Sequence, residues 1–314
     1  MDRIWKKRHW DDPEVVSAVS GGLAGALTAT FICPLDVLKT RLQVQRTASV
    51  QYVGITGGLS KILHEEGFRG LYRGLSPTLF ALLPNWAVYF TVYERLKVTF
   101  TERAAESGRN IPAPTIHMAS ASAAGVATLV FTNPLWVVKT RLQTQHMGLH
   151  MGRRPNGAMY KGTFDALYRI AREEGLAGLY SGLAPSLMGV CHVAIQFPLY
   201  EYTKKWMAQR NGPDGRKSDN LSATQLVCAS AFSKMVASTA TYPHEVVRSH
   251  MHVQGSGPFN GLASTCKEIV RHDGFRGLYR GCAANLFQQV PSAALTITSF
   301  ELIARYIRER AEQR

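Results

Sequence analysis

Asp36, Lys39 and Gln43 fall at i, i+3 and i+7, so a helix through them carries an acid, a base and an amide on one face. The chain writes that face twice more, as Trp136, Lys139, Gln143 and as Glu245, Arg248, His252. A second charged set follows each copy: Glu94 with Lys97, Glu201 with Lys204, and Glu301 with Ala304 where a base would stand. Opposite charges at helical spacing pair with one another; they do not break or transfer bonds. No nucleophile beside a base, Gly-rich phosphate loop or metal-ligand cluster accompanies them, so the pattern argues against an enzyme. His244, His250 and His252 sit inside the third copy without carboxylate or thiolate support at metal-site spacing, so neither a metal nor a cofactor is implied.

The elements that must position these residues recur with them. "PLDVLKTRLQ" begins at Pro34, "PLWVVKTRLQ" at Pro134 and "PHEVVRSHMH" at Pro243. "EEGFRGLYRGLSP", "EEGLAGLYSGLAP" and "HDGFRGLYRGCAA" place their last motif glycine at 74, 182 and 281, and "YERLK", "YEYTK" and "FELIA" close the units. Units of roughly 100 residues exceed solenoid periods, so each reads as two long helices joined by a connector. The expected division is an N-terminal segment 1–14 followed by repeats 15–110, 111–217 and 218–314. Each motif proline lies within an otherwise helical pattern and is expected to kink its helix.

Mean hydropathy is near zero, yet its distribution is not that of a soluble protein. Stretches free of Asp, Glu, Lys and Arg run over 15–35, 74–93, 110–135, 181–200 and 281–300, and 220–244 is interrupted only by Lys234. At about 1.5 Å per residue, each crosses or nearly crosses a hydrocarbon layer of roughly 30 Å. They are rich in Gly, Ala, Ser and Thr, which suit close helix approach and walls facing water. The expectation is an all-α membrane protein with six weak spans. The net charge of +14 is spread along the chain, so no nucleic-acid groove is indicated. The five cysteines form no C-x-x-C pair, and the opening "MDRIWKKRHWDDPE" lacks the apolar run of a secretory signal.

Arranged about a threefold axis, the acid of one motif reaches the base of the next. Asp36 would pair with Lys139 and Glu245 with Lys39, while Arg248 would meet Trp136 and no acid. The second charged set makes a similar ring at the opposite end, also one pair short. Two such rings closing in turn would open a central cavity first to one side and then to the other.

Three copies of P-x-[DE]-x-x-[KR]-x-[KR], the E-G-x-x-x-G-L-Y-x-G connectors and the [FY]-[DE]-x-x-[KR] endings resemble the mitochondrial carrier family over nearly the whole chain. The resemblance implies a monomeric, threefold pseudosymmetric carrier of six transmembrane helices. Each repeat would add a short amphipathic helix on the matrix side, and membrane lipid such as cardiolipin would be a partner. Trp136 for an acid, His250 for the last base of the third motif and Ala304 for a base depart from that pattern. Basic residues divide almost evenly between the two sides, so charge alone gives no orientation; the resemblance puts both termini outside the matrix.

"PNWAVYF" sets Asn85 and Trp86 within a span, where an indole stacks on a flat ring or packs on a neighbouring helix. With "PLWVVKTRLQ", "HVAIQFPLYE" and "TYPHEVVR" it resembles the branch carrying NAD, folate and pyrimidine nucleotides, and the plant-type organellar NAD carriers above all. That resemblance implies substrate contacts at Ala81, Asn85 and Trp86, at Gly189 and Val190, and at Gln288 followed by Gln289. Relatives usually carry arginine where Gln288 stands. Lys234 is the sole Lys or Arg within a span, at the register of Gly25 and Gly125, and is the candidate cation to compensate, the alternative being that it snorkels to an interface. His192 is a further cavity candidate and equally a helix-packing donor. The function implied is exchange of NAD for AMP or ADP across an organellar inner membrane, mitochondrial first and plastid or peroxisomal otherwise. A folate or pyrimidine-nucleotide carrier, and a proton or fatty-acid uncoupler, are the alternatives on the same scaffold.

Overall fold

The computed structural model describes residues 13–46, 52–107, 112–147, 159–189, 191–210, 223–255, 257–259 and 261–312. Among them the regular structure is entirely helical. Its elements are α1 Pro13–Val44, α2 Ile55–Leu71, α3 Leu75–Glu106, α4 Ala113–Thr144, α5 Thr163–Glu173, α6 Gly175–Leu179, α7 Leu183–Met188, α8 Cys191–Arg210, α9 Ala223–Gln254, α10 Leu262–Gly277 and α11 Cys282–Glu312. A short 3-10 turn, Gln145–Met147, prolongs α4.

The motif prolines Pro34, Pro134 and Pro243 all lie inside helices that continue past them. Those helices therefore carry the charged face of each motif in their last turns. Segments of α1 (Val19–Val44), α3 (Leu75–Glu106) and α4 (Thr115–Met147) are long and apolar enough to cross a membrane. The later helices are less apolar: α8 carries Glu201, Lys204 and Lys205, and α9 carries Lys234 at its middle. Within the stretch expected as one span at 181–200, α7 covers Leu183–Met188 and α8 begins at Cys191, and Gly189 keeps a helical backbone.

Helices of neighbouring units pack side by side: α3 against α4, α8 against α9, and α11 back against α1. The last contact closes the circle, and Thr28 and Thr296 share a hydrogen bond of 3.0 Å across it. Apolar burial gathers where each connector meets its motif helix. Val37, Leu38, Ile62 and Leu71 form one such cluster. Val137, Val138, Ile170 and Leu179 form the second, and Val246, Val247, Ile269 and Leu278 the third. The same register recurs because each unit solves one packing problem: a connector helix laid against the end of a long helix.

The connector glycines allow that fit. Gly74, Gly182 and Gly281 all have φ between 74° and 85°. A methyl group on Gly182 would lie 2.6 Å from a His252 ring carbon, and one on Gly74 would lie 2.8 Å from Gln143 Cγ. Each glycine thus touches the motif helix of the next unit. Gly182→Ala is expected to destabilise by about 1–2 kcal/mol through its left-handed backbone alone, read as a lower unfolding temperature in detergent.

Candidate functional site

At the connector end the motif faces of α1, α4 and α9 converge around a space of about 200 Å³. Lys139 Nζ lies 2.8 Å from Asp36 Oδ2, and Lys39 Nζ lies 2.7 Å from Glu245 Oε2. These are the two pairs expected from the sequence. Gln143 Nε2 donates to Asp36 Oδ2 at 2.7 Å, bracing the first pair from below. Gln43 donates to Tyr242 Oη at 2.9 Å and accepts from Ser249 Oγ at 2.7 Å. His252, at the third amide position, bonds instead to Thr140 Oγ1 at 2.9 Å.

At the third position Arg248 meets Trp136 rather than an acid, as the threefold arrangement implies. Its guanidinium lies over the Trp136 ring at 5.9 Å, and Lys139 Nζ lies over the same ring at 5.0 Å. Trp136 Nε1 donates to Thr132 Oγ1 at 3.1 Å, which fixes the indole plane. An aromatic face attracts both cations through its quadrupole, so two ion pairs and two cation–π contacts to one indole converge at this end.

A second layer lies outside that ring, built on the last basic position of the motif, to which the sequence reading gave no role. Arg41 and Arg141 are 0% and 1% exposed. Arg41 makes a bidentate pair with Glu66 and donates from Nε to the Gln143 carbonyl at 2.9 Å. Arg141 pairs likewise with Glu174 and donates from Nε to the His252 carbonyl at 2.8 Å. Burial raises the Glu66 carboxyl, but Arg41 outweighs it and holds the group below the usual carboxylate range. The available signal was the second basic position of each motif, filled by Arg41, Arg141 and His250.

The opposite end is different. Glu94 and Lys97 approach only to 3.9 Å along their own helix, Glu94 exposed and Lys97 half-buried. Among the described residues no ion pair joins Glu201, Lys204 or Glu301 to another helix. Ala304 is buried.

Between the ends, Lys234 shares a cleft of about 360 Å³ with Asn285, Gln288, Gln289, Ser292 and Thr296. The structure thus brings the intrahelical cation of α9 together with both glutamines of α11. Gln288 Oε1 is buried without a hydrogen-bond partner among the described residues. Gln289 and Asn285 both donate to Ser238 Oγ at 3.0 Å. Asn285 Oδ1 also accepts from Lys39 Nζ at 2.8 Å, so one side chain touches the cleft and the ion-pair ring together.

Trp86 is not among the residues lining that cleft. It is 56% exposed and stacks on Phe90 at 5.6 Å, one of a row of rings that continues through Tyr89 and Tyr93 to His117. Asn85 is half-buried beside it, whereas Ala81 is covered by its neighbours. Gly189 ends α7 and lies against His244, where an added methyl would be 2.9 Å from Nε2. Val190 lies outside the described residues. His192 Nδ1 bonds to Thr241 Oγ1 at 3.2 Å, the helix-packing role.

Known proteins extend this geometry. The family described as "Mitochondrial carrier protein" matches residues 11–104, 112–211 and 219–311, once per unit. "Nicotinamide adenine dinucleotide transporter 1, chloroplastic" of Arabidopsis thaliana is 49% identical over 93% of this chain and 91% of its own length. "Mitochondrial nicotinamide adenine dinucleotide transporter 1" of Saccharomyces cerevisiae is 40% identical over 95% of this chain and 77% of its own. "Solute carrier family 25 member 33" of Mus musculus is 33% identical over 93% and 95%. With three matched units and relatives similar from end to end, this chain belongs to the mitochondrial carrier family.

Proposed function

We propose that the protein is an organellar inner-membrane carrier that exchanges NAD for AMP or ADP through a central cavity, by alternate closure of two charged rings. The observation that carries the gating is the inequality of the ends. The connector end is closed by Asp36–Lys139, Lys39–Glu245 and Arg248 over Trp136, while the other set of charges makes no cross-helix pair among the described residues. A solute entering from the open end would reach the Lys234 cleft before it met the closed ring. Asn285, bonded to Lys39 and lining that cleft, gives an occupant a direct hold on the gate.

In this reading the six long helical segments cross the membrane and α2, α5–α6 and α10 lie along the matrix side, so the closed connector end is the matrix gate. The protein works as a monomer in lipid, cardiolipin included, and performs no covalent chemistry. The mitochondrial inner membrane is the first location to test, with plastid and peroxisomal membranes after it. NAD as cargo is supported by the names of the plant and yeast relatives. Lys234 meets a phosphate, Gln288 and Gln289 offer amides, and Trp86 stacks on a ring at the mouth. Trp86→Ala is expected to raise the half-saturation concentration for uptake about fivefold, the low end of one stacking contact.

Gln288 favours a second reading, a folate or pyrimidine-nucleotide carrier, because an amide replaces the family's usual cation. Ligand-dependent stability separates them: a ligand at one hundred times its Kd adds about 2.7 kcal/mol to the folded state. NAD should raise the unfolding temperature of the purified protein more than folates or pyrimidine nucleotides do. Stabilisation by one of those alone would reassign the cargo, and a proton leak blocked by purine nucleotides would replace exchange with uncoupling.

A further inference from the structure

The buried arginines of the first two repeats do two things at once. Each pairs with the acid of its own connector and donates to a carbonyl at the end of the next repeat's motif helix: Arg41 to Gln143 O, Arg141 to His252 O. Such a carbonyl lies at the negative end of a helix dipole, so a guanidinium there joins two repeats with a charge-assisted bond. The third repeat has His250 at this register, and its Nδ1 bonds to Val246 O on its own helix at 3.0 Å. The chain from the third repeat back to the first would therefore be broken.

Arg280 restores it from elsewhere. It sits in the connector just before Gly281, 3.2 Å from Asp273 Oδ1, the counterpart of Glu66 and Glu174. Its other terminal nitrogen donates to the Gln45 carbonyl, immediately beyond the end of α1. The three links run from the first repeat to the second, the second to the third, and the third to the first.

We propose that Arg280 supplies the third link of an inter-repeat belt on the matrix side, taking the part that Arg41 and Arg141 play, and that the belt opens and closes as one unit with the ion-pair ring. Arg280 is a positioning residue: it holds helix ends in place and touches no solute. The belt rests on the gate reading of this end, though not on which solute is carried.

Hydrogen exchange on the full-length purified protein, with no solute added, tests it. Local opening exposes the amides of whichever elements move together. Arg280→Gln should speed exchange about tenfold, the scale of one charge-assisted bond, at the ends of α1, α4 and α9 alike. His250→Arg in the Arg280→Gln background puts a guanidinium where the first two repeats have theirs, and should return all three ends to within about twofold of wild type. Faster exchange confined to the end of α1 and the 262–281 connector would reduce Arg280 to a local brace and overturn the belt. So would wild-type exchange in Arg280→Gln, or a double variant that is no more protected than the single. Should Arg280→Gln fail to fold, the double variant decides alone: wild-type protection supports the belt, and failure to fold overturns it. Because no solute is used, a wrong assignment of NAD leaves this result readable.

Discussion

Lys234→Gln lowers NAD uptake about 30-fold at subsaturating substrate, between the limits set by one hydrogen bond to a charged group. Lys234 is the one cation lining the α9–α11 cleft, and Gln288, where the family resemblance implies an arginine, stands in the same cleft. Removing the charge leaves the carboxamides of Asn285, Gln288 and Gln289, the one newly introduced, and two hydroxyls, which solvate a phosphate but do not balance it. The variant is therefore expected to raise the half-saturation concentration with little change in the number of working molecules. Gln288→Arg added to Lys234→Gln moves a cation across the cleft and should recover most of the loss. Uptake kinetics of the three proteins check this. Unchanged uptake in Lys234→Gln would place the cation on the lipid side of its helix, away from the solute.

Trp136→Asp is expected to slow exchange about tenfold while raising the unfolding temperature. The wild-type ring holds two ion pairs of 2.8 and 2.7 Å and two cation–π contacts to Trp136. Arg248 has no acid at its position, and its Nε is buried without a hydrogen-bond partner among the described residues. An aspartate there supplies that acid and makes a third ion pair. It sacrifices the indole contact, worth about 0.5–2 kcal/mol, but a partly buried charge gains more from an acid than from a ring. A net gain near 1.4 kcal/mol in the closed state would deepen that well by a factor of about ten. Slower exchange with a lower unfolding temperature would mean the indole is a packing residue and its loss simply damages the end of α4.

The two ion pairs are legible in the residues alone because helical spacing and threefold recurrence together specify partners. An acid at i and a base at i+3 can pair along one helix, as Glu94 and Lys97 do, and it is the threefold recurrence that points Asp36 and Glu245 across the axis to the bases of neighbouring motifs. The contact replacing the missing acid is not legible. Trp136 reads as a gap in a charge pattern, and only the distances of 5.9 and 5.0 Å to two cations turn it into a link. Lys234 and Gln288 are connected by register: Lys234 stands where the other repeats have Gly25 and Gly125, and the fold sets both residues in one cleft. The pairs of Arg41, Arg141 and Arg280 with Glu66, Glu174 and Asp273 join charged positions of two repeated motifs, but the links to the next repeat escape notice because they end on backbone carbonyls, which no side-chain pattern marks.

Labelled NAD uptake by the purified protein in liposomes, with AMP or ADP inside or with empty interiors, tests the exchanger most directly. NAD should enter the nucleotide-loaded vesicles and not the empty ones. Equal uptake by both would contradict exchange through alternately closed gates, and no NAD uptake by either, with folded protein, would contradict the NAD assignment itself.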